Sequence, residues 1–203
     1  MQAKGGSRRI TIRRCGFTHA GGRAVNLGGS TGADYFRPAD ASSEAADLVV
    51  EDCLFRGSMA PVAYVGVAGA TVRNNTIWRP RRWIARILQE NTAAHLARCR
   101  DGRFERNLVV FRSSELRTAV NIGAGTEKDT FQFLHNEWRC LDGRPAGERL
   151  LPFPVPESGG IFHGGGEAEP LEVEALKEIG ATNSGVRWWT VPKTTIPEPS
   201  RRR

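Results

Sequence analysis

Leu48-Val-Val50-Glu-Asp-Cys53-Leu-Phe55 and Ala70-Thr-Val72-Arg-Asn-Asn75-Thr-Ile77 are two copies of one phrase, and the phrase decides the fold. An apolar residue, a spacer and a second apolar residue lead to two polar residues, then Cys or Asn, one more residue and an apolar or aromatic one. The order recurs at Ile10-Thr-Ile12-Arg-Arg-Cys15-Gly-Phe17, at Gly102-Arg-Phe104-Glu-Arg-Asn107-Leu-Val109 and at Phe131-Gln-Phe133-Leu-His-Asn136-Glu-Trp138, making five copies. A short unit of this kind cannot bury its apolar face alone, so its copies stack.

The two apolar residues separated by one are the period-2 mark of a strand with one buried face. The Cys or Asn then falls where a side chain turns inward at a tight corner. Asn75, Asn107 and Asn136 in consecutive copies predict an asparagine ladder, with amides bonded along the stack. A second strand follows: Ala24-Val-Asn-Leu-Gly28, Val62-Ala-Tyr-Val-Gly66, Ile84-Ala-Arg-Ile-Leu88 and Ala119-Val-Asn-Ile-Gly123. Asn26, Tyr64 and Arg86 each lie eleven residues after the ladder position, and Asn121 three residues further. Constant spacing interrupted by variable loops is the mark of a coil with insertions, and the shortest repeat, Cys53 to Asn75, is a bare 22 residues. The expected fold is therefore all-β, a parallel β-helix of about five to six coils stacked roughly 4.8 Å apart. The outward residues Arg13, Glu51, Arg73 and Glu105 alternate in sign, which supports this register over an antiparallel sandwich.

Composition narrows the partners. The formal charge is +7 with a pI near 9.8, which invites a nucleic-acid reading. Against it, three of the charges are the terminal Arg201-Arg202-Arg203 and most others stand beside Asp or Glu, so an anionic partner of another kind fits as well. No apolar run approaches the ~20 residues of a membrane span. Met1-Gln-Ala-Lys-Gly-Gly-Ser-Arg-Arg9 is not followed by the apolar core of a secretion signal. The four cysteines form no C-x-x-C pair, which argues against zinc, and Cys15 and Cys53 read as small buried residues of the repeat.

The last quarter departs from the phrase. Gly160-Ile-Phe-His-Gly164 reads as one more strand, and Pro170 to Ile179 as a short helix with Leu171, Val173, Leu176 and Ile179 on one face. That helix would cover the open end of the stack, dividing the chain into repeats over 1–166 and a cap with an irregular tail over 167–203. The other end opens almost directly on Ile10-Thr-Ile12 without a cap, so the expectation is the C-terminal portion of a longer β-helix, truncated at the amino end.

On this register Asn26, Tyr64, Arg86 and Asn121 form an outward column, with Leu27, Val65, Ile87 and Ile122 inward and Gly28, Gly66 and Gly123 keeping the neighbouring surface low. Tyr stacks on a sugar face, Arg binds a carboxylate or sulfate, and Asn matches hydroxyls, so the column suits an extended anionic polymer. An ordinary solvated sheet face is the competing reading. The insertions Asp34-Tyr-Phe-Arg37-Pro-Ala-Asp40, Arg79-Pro-Arg81-Arg-Trp83 and Arg112 to Arg117 are expected to rim one edge of that groove, bringing Glu90 and Arg117 to it. Cleavage by β-elimination needs a carboxylate neutraliser and a base; Arg86 and Arg81, with Tyr64 or Arg37, are the candidates. A hydrolase needs two carboxylates; Asp34, Asp40, Glu90 and Glu115 are available, in no spacing that demands it.

The ladder copies, together with Ala24-Val-Asn-Leu-Gly-Gly-Ser-Thr-Gly32, Tyr35-Phe-Arg-Pro38, Arg79-Pro-Arg-Arg-Trp83 and Ala119-Val-Asn-Ile-Gly123, resemble the right-handed parallel β-helix superfamily, the pectate-lyase-like fold. The likeness covers about residues 8–143 and is greatest to secreted bacterial β-helix-repeat proteins. It implies a right-handed coil, an acidic polysaccharide as partner, lyase-type chemistry where the protein is catalytic and an extracellular or periplasmic setting; it allows for Ca²⁺ as a cofactor without requiring it. A non-catalytic polysaccharide-binding or surface-structural β-helix, or an inactive fragment, is the alternative. The calcium acids and the base of known lyases are not matched position by position.

Overall fold

Every copy of the phrase bends at its fifth residue. Arg14, Asp52, Asn74, Arg106 and His135 occupy the left-handed region with φ between 52° and 54°, a conformation in which single residues reverse or corner a chain. The phrase is thus two strands on two different sheets. With the strand that precedes it in each turn, the chain passes through three sheets, where the sequence pattern had indicated two strands per coil.

The computed structural model describes residues 1–142, 153 and 156–163. The first turn comprises β1 (Gln2–Ala3), β2 (Ser7–Arg8), β3 (Thr11–Arg13) and β4 (Gly16–Thr18), and the second β5 (Arg23–Gly28), β6 (Ala45–Glu51) and β7 (Leu54–Arg56). Then follow β8 (Ala60–Val65), β9 (Val67–Arg73) and β10 (Thr76–Trp78), and β11 (Ala85–Leu88), β12 (Arg100–Glu105) and β13 (Leu108–Phe111). After them come β14 (Val120–Ile122), β15 (Gln132–Leu134) and β16 (Glu137–Cys140), then β17 (Glu157–Ser158) and β18 (Ile161–His163). Sheet 1 stacks β1, β5, β8, β11 and β14; sheet 2 runs from β2 to β17 through β6, β9, β12 and β15, with β3 also on β6; sheet 3 runs from β4 to β18 through β7, β10, β13 and β16. Pairing is parallel throughout, as in Val50 beside Val72 or Phe55 beside Ile77. This all-β stack of parallel strands fits a parallel β-helix.

The core is made of like positions at successive levels. Leu27, Tyr64, Ile87 and Ile122 align on sheet 1, Ile12, Val50, Val72, Phe104 and Phe133 on sheet 2, and Phe17, Phe55, Ile77, Val109 and Trp138 on sheet 3. Phe17 and Phe55 stack at 5.0 Å, as adjacent like residues in such columns do.

The asparagine ladder is present. Asn107 Oδ1 accepts from the backbone N–H and the Nδ2 of Asn75, both at 3.0 Å, and Asn136 Oδ1 accepts the matching pair from Asn107 at 2.9 and 3.1 Å. Each Nδ2 also donates to a carbonyl in the turn before, at Val50, Val72 and Phe104. The Cys53 thiol reaches toward the equivalent carbonyl of Ile12 at 3.7 Å, and at the other end Glu157 accepts from the amide and backbone of Asn136. Burial pushes the Cys53 thiol up to about 12, so it stays protonated. All four cysteines are free.

The alternating column Arg13, Glu51, Arg73, Glu105 stands in register, and Arg73 donates twice to Glu51 at 2.9 and 2.7 Å. Glu105 pairs instead with Arg103 at 3.2 Å on its own strand. Exposed pairs of this kind add little stability, so the column reports register rather than holding it. Two end features differ from expectation or lie outside view. Residues ahead of Ile10 already pair, β1 with β5 and β2 with β6, so the stack does not begin at the first phrase. Ile161–His163 is the expected further strand, while the helix over 170–179 and the boundary at 166/167 fall outside the described residues. No helix among the described residues is long and apolar enough to cross a membrane.

Asn107 is fully buried and satisfies four polar partners. Asn107→Ala would strand the Val72 carbonyl and the Asn75 donors without water, at about 1–3 kcal/mol each for the worst placed. A loss of about 3 kcal/mol in chemical denaturation is expected, against less than about 0.5 kcal/mol for the exposed Thr11→Ala.

Candidate functional site

Sheet 1 presents its outer face through Asn26, Ala63, Arg86 and Asn121, which stand in register on β5, β8, β11 and β14. Tyr64 is not in that column. The corner before β5 holds residues 19–22, whereas the one before β8 holds only 57–59, so the eleven-residue count overshoots by one at that level. Tyr64 therefore points into the core, fully buried, with its hydroxyl donating to the Arg103 carbonyl at 2.8 Å and its ring edge-on to Phe131 at 5.2 Å. Burial raises its pKa well above the ordinary phenol value, and neither substrate contact nor base chemistry is open to it. Val65, expected inward, correspondingly faces outward beside Gly28 and Leu88.

Arg86 remains the centre of the face. Its guanidinium lies 4.2 Å from the Trp83 ring centroid, and Arg82 lies 4.5 Å from the same ring. Its Nε donates to Asn121 Oδ1 at 2.9 Å; its two Nη groups have no hydrogen-bond partner among the described residues. The Trp83 ring is buried, and its indole N–H is likewise unpartnered among them. Arg23, at the start of β5, donates to Asn26 Oδ1 at 3.4 Å and forms an ion pair with Glu90, just past β11. That pair reaches over the level of β8, where the outward Ala63 and Val65 are fully buried. Burial, then the charge of Arg23, and more weakly Arg82, hold Arg86 below the usual guanidinium range; Glu90 opposes them. Three guanidiniums thus share one carboxylate on a partly desolvated face.

The insertions do not rim one edge. Residues 79–84 and 112–119 enter sheet 1 at the start of its strands, whereas 29–44 leaves from the end of β5. Arg81 and Arg117 belong to the first edge, where the Arg117 N–H donates to the Arg82 carbonyl at 2.9 Å. Arg37 belongs to the opposite edge, exposed, with Nη1 on the carbonyls of Asp34 at 2.9 Å and Phe36 at 2.6 Å. Of the acids, Glu90 is held by Arg23 and Glu115 by Arg79, while Asp34 and Asp40 are exposed on the 29–44 loop.

That opposite edge is built as one shoulder. At the level of β8 a single residue, Gly66 at φ 61°, connects to β9, and the insertions on either side, 29–44 and 89–99, close over it. The buried Glu44 ties them: its carboxylate accepts from Thr31 N at 2.8 Å, Thr31 Oγ1 at 2.6 Å, Asn91 Nδ2 at 2.7 Å and Gly5 N at 3.4 Å. The Ala97 N–H donates to the Ser42 carbonyl at 2.7 Å, and His95 meets Phe36 edge-on at 6.1 Å. A side chain on Gly66 would press on Glu44 Cγ at 3.1 Å, which with the positive φ explains glycine there.

The sequence placed Arg86, Asn26 and Asn121 in one outward column, as the register has them, but did not bring in Arg23, whose strand-edge position carries no periodic signal, nor Trp83 under the guanidinium of Arg86. No group of three or more His, Cys, Asp or Glu side chains fit to hold a metal comes together among the described residues. The face offers guanidiniums and amides, not the six to eight oxygens that Ca²⁺ takes, so it does not fit the calcium site the resemblance allowed for. Comparison of the chain with protein-family models, curated proteins and solved structures returned no match.

Burial pushes the Glu44 carboxyl up, but the donors from Thr31, Asn91 and Gly5 outweigh it and the net pKa falls below the ordinary 4.5. An acid whose folded pKa is depressed contributes stability in full above its unfolded value and loses it as pH falls through the folded one. Glu44→Gln is expected to cost about 2 kcal/mol at neutral pH, where a charged acceptor is lost. It should also flatten the decline of denaturation midpoint below pH 4.5 relative to the parent.

Proposed function

We propose that the chain binds an anionic polysaccharide along the outer face of sheet 1, with Arg86 taking a uronate carboxylate or a sulfate. The observation that carries this is the charge count on that face: Arg23, Arg82 and Arg86 against Glu90 alone, with both Nη groups of Arg86 unpartnered among the described residues. Guanidinium donors are strong, directional anion binders, and an aromatic platform holds them in place. Strand spacing of about 4.8 Å places Asn26, Arg86 and Asn121 as a ladder of polar groups under an extended chain. In this reading the fold is the right-handed, pectate-lyase-like coil of five to six turns, and the protein works outside the cytoplasm, where such polymers occur.

Glu90 acts as the internal counter-ion that the polymer competes with. Binding is favoured over β-elimination because none of the expected partners of Arg86 in that chemistry stands beside it among the described residues. Tyr64 is in the core, Arg37 is at the far edge, and Arg81 turns to the corner cleft described below. On this reading Arg86 would supply the neutralising half of a lyase site.

Affinity electrophoresis and calorimetry with polygalacturonate test the reading. Arg86→Ala should weaken binding about 10- to 100-fold, the value of one or two charge-assisted hydrogen bonds. Glu90→Gln should strengthen it several-fold by releasing Arg23. Unchanged affinity in Arg86→Ala would leave the face as a solvated surface. Absorbance from a new C=C bond on incubation with uronate polymers would reinstate the lyase.

A further inference from the structure

A second basic site lies at the corner where sheet 3 hands over to sheet 1. A cleft of about 240 Å³ is lined by His19, Arg56, Trp78, Arg79, Arg81 and Glu115, with Gly57 as part of its wall. Its size is below the ~300–1,000 Å³ of pockets that enclose whole drug-sized ligands, so it suits one compact group.

The stacking builds it. His19, Gly57 and Arg79 hold the same place at three successive levels, each with positive φ (47°, 64° and 47°), and their N–H groups donate to the carbonyls of Arg56, Trp78 and Val110. Gly57 is required beneath His19: a Cβ there would meet the imidazole Cε1 and Nδ1 at 2.5 Å. Arg79 is committed, since it grips both Glu115 oxygens, and that bond raises its pKa. Arg81 lies with Nη2 3.4 Å from His19 Nδ1, a contact in which the ring nitrogen accepts. Arg56 enters from the end of β7, and its guanidinium has no hydrogen-bond or ion-pair partner among the described residues. Setting Arg79 against Glu115 leaves Arg56 and Arg81 without a compensating acid among the described residues, in one small cleft that also holds the His19 imidazole.

We propose that this cleft is a binding site for a tetrahedral oxyanion, a sulfate or phosphate ester group. Donors reach it from three levels of the stack, from His19, Arg56 and Arg81. A group with three or more oxygens can accept from all of them at once, where a planar carboxylate has two. The site is separate from the Arg86 face and does not rest on the polysaccharide reading.

Titration of the full chain with inorganic sulfate and inorganic phosphate, then with methyl sulfate and methyl phosphate, followed by the imidazole resonances of His19, tests it. Saturable binding is expected, weakened at least tenfold in Arg81→Gln and in Arg56→Gln and unchanged in the exposed Arg8→Gln. Preference between the two methyl esters identifies the source of the oxyanion. No saturable shift of His19 with any of the four anions, or equal affinity in the parent and in both cleft variants, overturns the proposal. The polygalacturonate assay reads the Arg86 face and this one reads His19 in the corner cleft, so the two proposals fail separately.

Discussion

The structure depends on a corner. A left-handed residue followed by an Asn or Cys turns the chain between sheets 2 and 3 in all five copies of the phrase, and the buried amide then has to satisfy itself along the stack. An unpaired amide in that position would cost more than most single contacts gain. The ladder therefore enforces register: a slip of one residue would break every rung at once and turn each apolar column outward. Register in turn is what places Asn26, Arg86 and Asn121 in one line and His19, Gly57 and Arg79 in another. The sites are consequences of the stacking as much as of the residues.

Much of this was legible in the residues. The phrase revealed the ladder, the parallel stacking and the alternating Arg13, Glu51, Arg73, Glu105 column, because core positions repeat with a fixed period and amide ladders leave a signature. Tyr64 was misplaced because the information lay in a corner. Four residues turn the chain before β5 and three before β8, and nothing periodic marks the missing one. A hint was available: Val62 and Tyr64 are the bulkier pair in Val62-Ala-Tyr-Val65, and bulk belongs inside. The third strand per turn was hidden for a different reason. It is only three or four residues long beyond the corner of the phrase, too short to show an alternation of its own. The opposing positions of the 29–44 and 79–84 insertions were likewise invisible until the sheets were counted.

The candidate face differs from an open groove in one respect that matters for its chemistry. Arg23 and Glu90 reach across it, so the protein supplies a carboxylate of its own where a uronate would lie. An exposed ion pair contributes little to stability, and a partner polymer carrying many carboxylates would exchange with it at small cost. Arg86 differs from Arg23 in having no acid of its own among the described residues, and Trp83 beneath it limits hydration of the guanidinium. Salt would screen the Arg23–Glu90 pair and the polymer alike, so the face works by density of donors rather than by net attraction at a distance.

The central claim is that sheet 1, and within it Arg86, meets the anionic polymer. Arginine side-chain Nε–H and tryptophan indole N–H resonances, followed through a titration with a uronate oligosaccharide, report on it directly. Saturable shifts of Arg86 Nε–H and Trp83 Nε1–H, with Arg73 and Arg103 on sheet 2 unmoved, are the predicted result. Shifts confined to the sheet 2 arginines, with Arg86 and Trp83 silent, would contradict it.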